Sequence, residues 1–166
     1  MGTAKLVFFD WGTFYGKLIK FQTKSKWSHV GLIIEEDDGT YTIAEALNRG
    51  LVISKYGKLG LEQNIKDGKV MIKTISVNTT PANFKTIAEK YEGAPYDWFS
   101  IINIALYSFI GKIALNFKGP RALICSEFVA RVLYESSNGR IDFKQEYNKP
   151  FDLITPAEIF RSRYLK

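Results

Sequence analysis

Reactive sulfur and imidazole are scarce in this chain, with one cysteine and one histidine among 166 residues. A lone cysteine cannot close an internal disulfide, and one cysteine with one histidine cannot build a zinc site by themselves. A disulfide scaffold and a zinc finger are therefore excluded, and the composition implies no metal and no cofactor. Also missing are internal repeats, low-complexity tracts and a Pro/Gly/Ser-rich linker, so residues 1–166 read as a single domain. The stretch from Met1 to Trp11 meets Asp10 after a short apolar run and does not read as a secretory signal. Leu6 stands where a myristoylation motif after Gly2 requires Ser or Thr. The expectation is a soluble protein of a reducing compartment, cytoplasmic by default, with export by another route left open.

Long uncharged runs are short as well. Trp98 to Phe117 carries a single charge, Lys112, but its uncharged part ends at Gly111, short of the roughly 20 apolar residues a membrane span requires. A buried helix, or a pair of short ones, is the better reading, with a surface-exposed apolar cap as the alternative. What is present suits a globular core, since 46% of the residues are hydrophobic. Acids fall short of bases, giving a net charge of +6 that favours anionic partners.

The order of elements is informative. Lys5–Phe9, His29–Glu35, Thr40–Ala46, Leu51–Lys55 and Lys69–Val77 are rich in Val, Ile, Phe and Tyr and bounded by Gly and Asp, which predicts strands. Thr80 before Pro81, with Gly93 as the stop, predicts a helix over Pro81–Glu92. Cys125, Phe128, Val129, Val132 and Leu133 fall on one helical face within Ile124–Ser136, with Cys125 in its first turn. Thr155, Pro156 and Glu158 form a capping box that opens a last helix through about Arg163. Strands first and helices after predict an α+β domain, an antiparallel sheet packed on a helical layer.

Cys125 and His29 are the first candidates for chemistry, because a thiol needs a base to become a thiolate at neutral pH. The ordinary alternatives are a small core cysteine and a partly buried strand histidine. Position favours chemistry, since a thiol in the first turn of a helix lies near the positive end of the helix dipole. His29 heads a strand, and Gly31, on the same face, leaves room for another group. Glu45 is the candidate to orient the imidazole; on its strand it shares a face with Ile43 and Tyr41. The competing reading of Glu45 is an edge-strand acid reaching solvent.

Register decides between these readings. A two-residue turn at Asp38-Gly39 would send His29 and Glu45 to opposite faces. A three-residue loop, Asp37-Asp38-Gly39, would set both on one face, and a five-residue loop, Glu35 to Gly39, would put them directly opposite. The catalytic reading requires an odd loop.

Taken together, Ser28-His29-Val30-Gly31, Glu45-Ala46, Gly93-Ala94-Pro95-Tyr96-Asp97, Cys125-Ser126-Glu127-Phe128-Val129 and Thr155-Pro156 resemble the circularly permuted branch of the NlpC-type papain-like family, the YiiX/YebB-like proteins. The order here is His, acid, Cys, as in the permuted branch, whereas ordinary papain-like enzymes place the Cys helix first. The resemblance covers most of the chain. It implies a permuted papain-like α+β fold and hydrolysis or transfer of amide, ester or thioester acyl groups. It further implies Cys125 as nucleophile, His29 as the base that later protonates the leaving group, Glu45 as the orienting residue and Tyr96 beside the oxyanion site. The backbone N–H of Cys125, at a helix start, could be a further oxyanion donor.

Three functions fit these residues. The leading one is a cysteine amidase or peptidase acting on a small peptide, such as a cell-wall stem peptide or an isopeptide-like linkage. The second keeps the thiol but acts on a lipid or thioester, as the related lecithin-retinol acyltransferase-like enzymes suggest, with an anionic membrane surface as partner. The third is a non-catalytic basic module. Three Trp, nine Tyr and twelve Phe are present, yet the Lys17–Lys26 and Lys66–Lys73 runs are interspersed with polar or acidic residues and show no recognisable motif, which disfavours nucleic acid.

Overall fold

The computed structural model of the protein describes residues 2–35, 41–77, 79–110 and 121–166. Five strands, β1 (Gly2–Phe9), β2 (His29–Glu35), β3 (Tyr41–Leu47), β4 (Gly50–Tyr56) and β5 (Val70–Val77), form one sheet in the order β4-β3-β2-β1-β5. Every pairing is antiparallel. All five predicted strands are present, with ends moved by three residues at most. The architecture is α+β, a five-stranded antiparallel sheet packed with helices.

Alternation along the strands gives the sheet two apolar faces. One face carries Leu6, Phe8, Leu32, Ala44 and Ile75, packed on Phe84, Ile87, Phe128, Val132 and Leu133. The last five belong to α3 (Pro81–Glu89) and α5 (Cys125–Ser136). The other face carries Val7, Phe9, Ile33, Ile43 and Val70 and is covered by Leu61 of α2 (Lys58–Lys66). Helix α4 (Trp98–Ile110) has its own small core of Ile101 and Ile104 with Ile124 and Leu153. Among the described residues no helix is long and apolar enough to cross a membrane. The stretch predicted as buried helix is helical through Ile110, and residues 111–120 lie outside the described set.

Caps explain where the helices start. Thr80 accepts from the Asn83 N–H ahead of Pro81. Thr155 and Glu158 make the reciprocal capping box that opens α7 (Pro156–Arg161). Helix α3 ends at Glu89, short of the predicted Glu92, and the chain turns through Gly93, where φ is 77°. Three helices were not anticipated: α1 (Phe14–Thr23), α2 and the short α6 (Phe143–Tyr147). Within α1 lies much of the Lys17–Lys26 run that reads in sequence as solvated surface. Thr13 caps this helix through the Gly16 N–H.

The β2–β3 register sets the site. Leu32 faces Ala44, Ile33 faces Ile43 and Glu35 faces Tyr41, the odd-loop parity; the proposed loop falls on residues 36–40, outside the described residues. Carried one rung past Leu32–Ala44, this register sets Gly31 against Glu45. A Cβ added to Gly31 would lie 3.3 Å from Glu45 Cβ, 3.1 Å from Ile43 Cγ2 and 3.2 Å from the Ala44 carbonyl oxygen. Gly31→Ala is expected to lower stability by roughly 1–3 kcal/mol through overpacking. Urea denaturation measures the loss, and an unchanged midpoint would show that the strands part there without cost.

Candidate active site

Cys125, His29 and Glu45 are brought together. They come from α5, the start of β2 and the middle of β3, and they are 3%, 2% and 6% exposed. His29 Nε2 lies 2.7 Å from Glu45 Oε2, so Nε2–H donates to the carboxylate and Nδ1 is left for Cys125, with which the imidazole is also hydrogen-bonded. Glu45 is thus an interior acid with a partner, and not an acid reaching for solvent.

The sheet is built to admit the thiol. The β2–β3 ladder ends at Leu32–Ala44, although β2 begins at His29 and β3 runs on to Leu47. On the unpaired rungs the backbone N–H of Val30 donates to Cys125 Sγ, joined by the N–H of Ser126. Helix α5 opens on Ile124 as its N-cap, a residue with no side-chain oxygen, and no side chain caps the helix. The N–H groups of the first turn are therefore kept for the sulfur and whatever binds beside it. Ser126 Oγ donates to the Ile154 carbonyl at 2.6 Å, fixing this turn against the segment before the Thr155 capping box.

Charge follows from these contacts. Burial disfavours imidazolium, but the adjacent Cys125 thiolate and the hydrogen bonds to Cys125 and Glu45 outweigh it and raise His29 from 6.5 to about 9. Burial alone would push the Cys125 thiol up; the charge and hydrogen bond of His29, with the two backbone donors, bring it below the ordinary thiol range. Each member of the pair thus favours the charged form of the other.

Tyr96 lies beside this pair. The short parallel bridge Tyr96–Leu123, with the Leu123 N–H on the Pro95 carbonyl at 2.9 Å, ties its segment to the strand-like lead into Cys125. Tyr96 and Cys125 line the same small cavity. Burial, and after it the charges of Cys125 and Asp97, hold the phenol protonated well above its usual range, so it remains a hydrogen-bond donor. Asp97 accepts from Ser100 N–H and Oγ at 3.0 and 2.7 Å and starts α4. Another cavity, 520 Å³, is lined by His29, Tyr96, Trp11, Ile19, Leu47, Arg49 and Trp98 among others.

Sequence reasoning missed Trp11. Its indole stacks on the imidazole at 3.9 Å between centroids and 13° between planes, and the Trp11 backbone N–H donates to Ser28 Oγ at 3.0 Å. The signal was available in Ser28, whose position before His29 serves a residue seventeen places earlier, but only pairing of β1 with β2 reveals it. Glu127, quoted only as part of the cysteine motif, is fully buried and paired with Arg131 at 2.8 Å.

No protein-family model matches the chain, and no curated protein matches it. Among solved structures it is similar to "Crystal structure of metalloprotein yiiX from Escherichia coli O157:H7, DUF1105" at 18% identity. That match spans 99% of this chain and 94% of the other, with a TM-score of 0.62. At this identity the likeness is one of fold, and the chain has the YiiX-like α+β architecture.

Iodoacetamide alkylation of Cys125 reports the ion pair directly. The wild-type rate should titrate below the ordinary thiol value of about 8.5. His29→Ala should move the titration upward and cut the rate near pH 6.5 by about tenfold or more. Glu45→Gln, by weakening the imidazolium, should shift it part of the way in the same direction. Identical profiles in all three would dissolve the pair.

Proposed function

We propose that the protein is a cysteine hydrolase of the permuted papain-like class that cleaves an amide bond in a small peptide, a cell-wall stem peptide or an isopeptide-like linkage. The observation that carries this reading is the buried line of Glu45, His29 and Cys125 at the uncapped start of α5. In it Cys125 Sγ attacks the carbonyl carbon, and the developing oxyanion takes hydrogen bonds from the helix-start N–H groups and from Tyr96. His29 gives its proton to the departing amine, leaving a thioacyl enzyme that water hydrolyses with neutral His29 as base. Glu45 holds Nε2–H, so that Nδ1 faces the sulfur throughout.

The YiiX neighbour is described as a metalloprotein. In the present chain the donor set does not fit a metal: Nε2 of the lone histidine is held by Glu45, and no cluster of three His, Cys, Asp or Glu side chains able to hold an ion occurs among the described residues. No step of the proposed reaction passes through one.

Turnover of a panel of stem peptides and isopeptide-linked dipeptides tests the proposal. Cys125→Ala should lower the rate by about three orders of magnitude or more while leaving the unfolding midpoint close to wild type. In wild type the activity should be lost as pH rises through about 9, where His29 gives up its proton. Hydrolysis that persists in Cys125→Ala would overturn the assignment.

A second reading, a lipid or thioester acyl substrate, is favoured by one observation. Phe21 of α1 and Phe99 and Ile102 of α4 are exposed large apolar side chains on two helices that touch one another. On that reading the protein sediments with anionic vesicles at low salt and is released as salt rises. Absence of vesicle binding at low salt removes it.

A further inference from the structure

Besides His29, two ionisable side chains of opposite sign line the 520 Å³ cavity, Asp10 and Arg49. Asp10 is already neutralised, its Oδ1 lying 2.6 Å from Lys20 Nζ. Arg49 is exposed and has no ion-pair partner among the described residues. Of Cys125, His29 and Glu45, His29 alone lines this cavity, and Arg49 is the one Lys or Arg in the lining.

Its placement is fixed by backbone. Leu47 pairs with Gly50, so Asn48 and Arg49 form the two-residue tip between β3 and β4. The tip is clamped to the segment that leads into Tyr96. Leu51 N–H donates to the Ala94 carbonyl at 2.8 Å, and Gly93 N–H donates to the Leu51 carbonyl at 3.0 Å. Gly50 adopts φ 108°, and an added Cβ there would lie 2.9 Å from the Ala94 carbonyl oxygen, so the close approach depends on glycine. One rigid piece of chain thus presents Arg49 and Tyr96 to the same cavity. Trp11, Ile19, Leu47 and Trp98 give the cavity an apolar wall, while Thr13, Ser28 and Asn48 add uncharged polar groups to the lining.

We propose that Arg49 is the specificity-determining residue of this site, and that the substrate is an acyl compound whose apolar portion lies along that wall and whose carboxylate or phosphate is held by the Arg49 guanidinium. A planar fork with five N–H donors suits either anion. The inference rests on the hydrolase reading for the identity of the reacting atom, Cys125 Sγ, and adds the chemistry of the group beyond it.

The test is affinity labelling of Cys125 in the intact protein, which needs no turnover. The reagents are N-bromoacetyl derivatives of β-alanine, 4-aminobutyrate and 6-aminohexanoate, each as free acid and as methyl ester, together with N-bromoacetyl-O-phosphoethanolamine. Sulfur displaces bromide, forming a thioether and releasing bromide ion, so the label is read by mass. In wild type at low salt, one chain length should label about two- to fivefold faster as the acid than as the ester, the scale of an exposed ion pair. That ratio should fall to about one in Arg49→Gln and decline with rising salt. Arg49→Glu should prefer an amine-terminated reagent of the same length. Comparing the acid with the phosphate reagent says which anion the guanidinium prefers. An acid-to-ester ratio that is the same in wild type and Arg49→Gln at every length overturns the role of Arg49 while leaving the thiol chemistry standing. A Cys125 inert to every reagent overturns the hydrolase reading and this inference with it.

Discussion

The 2.7 Å contact between His29 Nε2 and Glu45 Oε2 joins two side chains that are almost wholly removed from water. Taking charges out of water costs several kcal/mol per ion unless partners replace the solvent. Each group in this site supplies what another lacks. Glu45 gives the imidazolium its counter-charge, the imidazolium does the same for the Cys125 thiolate, and two backbone N–H groups complete the sulfur's shell. Removing the middle member would leave Glu45 without its buried hydrogen-bond partner and Cys125 without the neighbour that lowers its thiol. The rest of the fold can be understood as what holds these three residues in line.

That alignment follows from strand register. Glu45 reaches His29 because β2 and β3 pair with odd parity, because Gly31 has no side chain in the gap, and because pairing ends at Leu32–Ala44. The last of these frees the Val30 N–H for sulfur. A fully zipped pair would satisfy that N–H with β3 and close the opening through which α5, on the opposite face, brings Cys125 to His29. The lost rungs are compensated locally by the indole of Trp11 stacked on the imidazole and by the β1–β2 pairing of Phe9 with His29.

Much of this was legible in the sequence because it depends on local rules. Strand parity put Glu45 and Gly31 on the face of His29 once an odd loop was required. The spacing from Cys125 to Leu133 placed the thiol at a helix start, and the Thr155 capping box could be read outright. Helices α1 and α2 were not anticipated, and both carry glycine, a poor helix former. Gly16 lies inside α1, where an added Cβ would meet the Trp11 carbonyl oxygen at 2.6 Å; it is a point of close packing and not a turn. Gly57 and Gly60 bracket the start of α2, whose place is set by burial of Leu61 against the sheet. Trp11 and Arg49 escaped for a different reason. Both stand just outside strands, where side-chain direction is set by neighbours distant in sequence.

The electrostatics also bear on how a single histidine could serve twice in the proposed reaction. The largest influence raising His29 is the charge of the Cys125 thiolate. Attack on a carbonyl transfers that charge to the developing oxyanion, and formation of the thioacyl bond removes it from sulfur altogether. Imidazolium, stabilised by the thiolate while the site waits, then loses its main support as the leaving amine needs a proton. After transfer the neutral ring sits beside an uncharged thioester, with Glu45 still on Nε2, in the state required to draw a proton from water. The return of the thiolate at the end of the cycle restores the high proton affinity. Burial makes this alternation steep, since a charge that appears or vanishes next to the ring in a poorly screened interior acts far more strongly than it would in water.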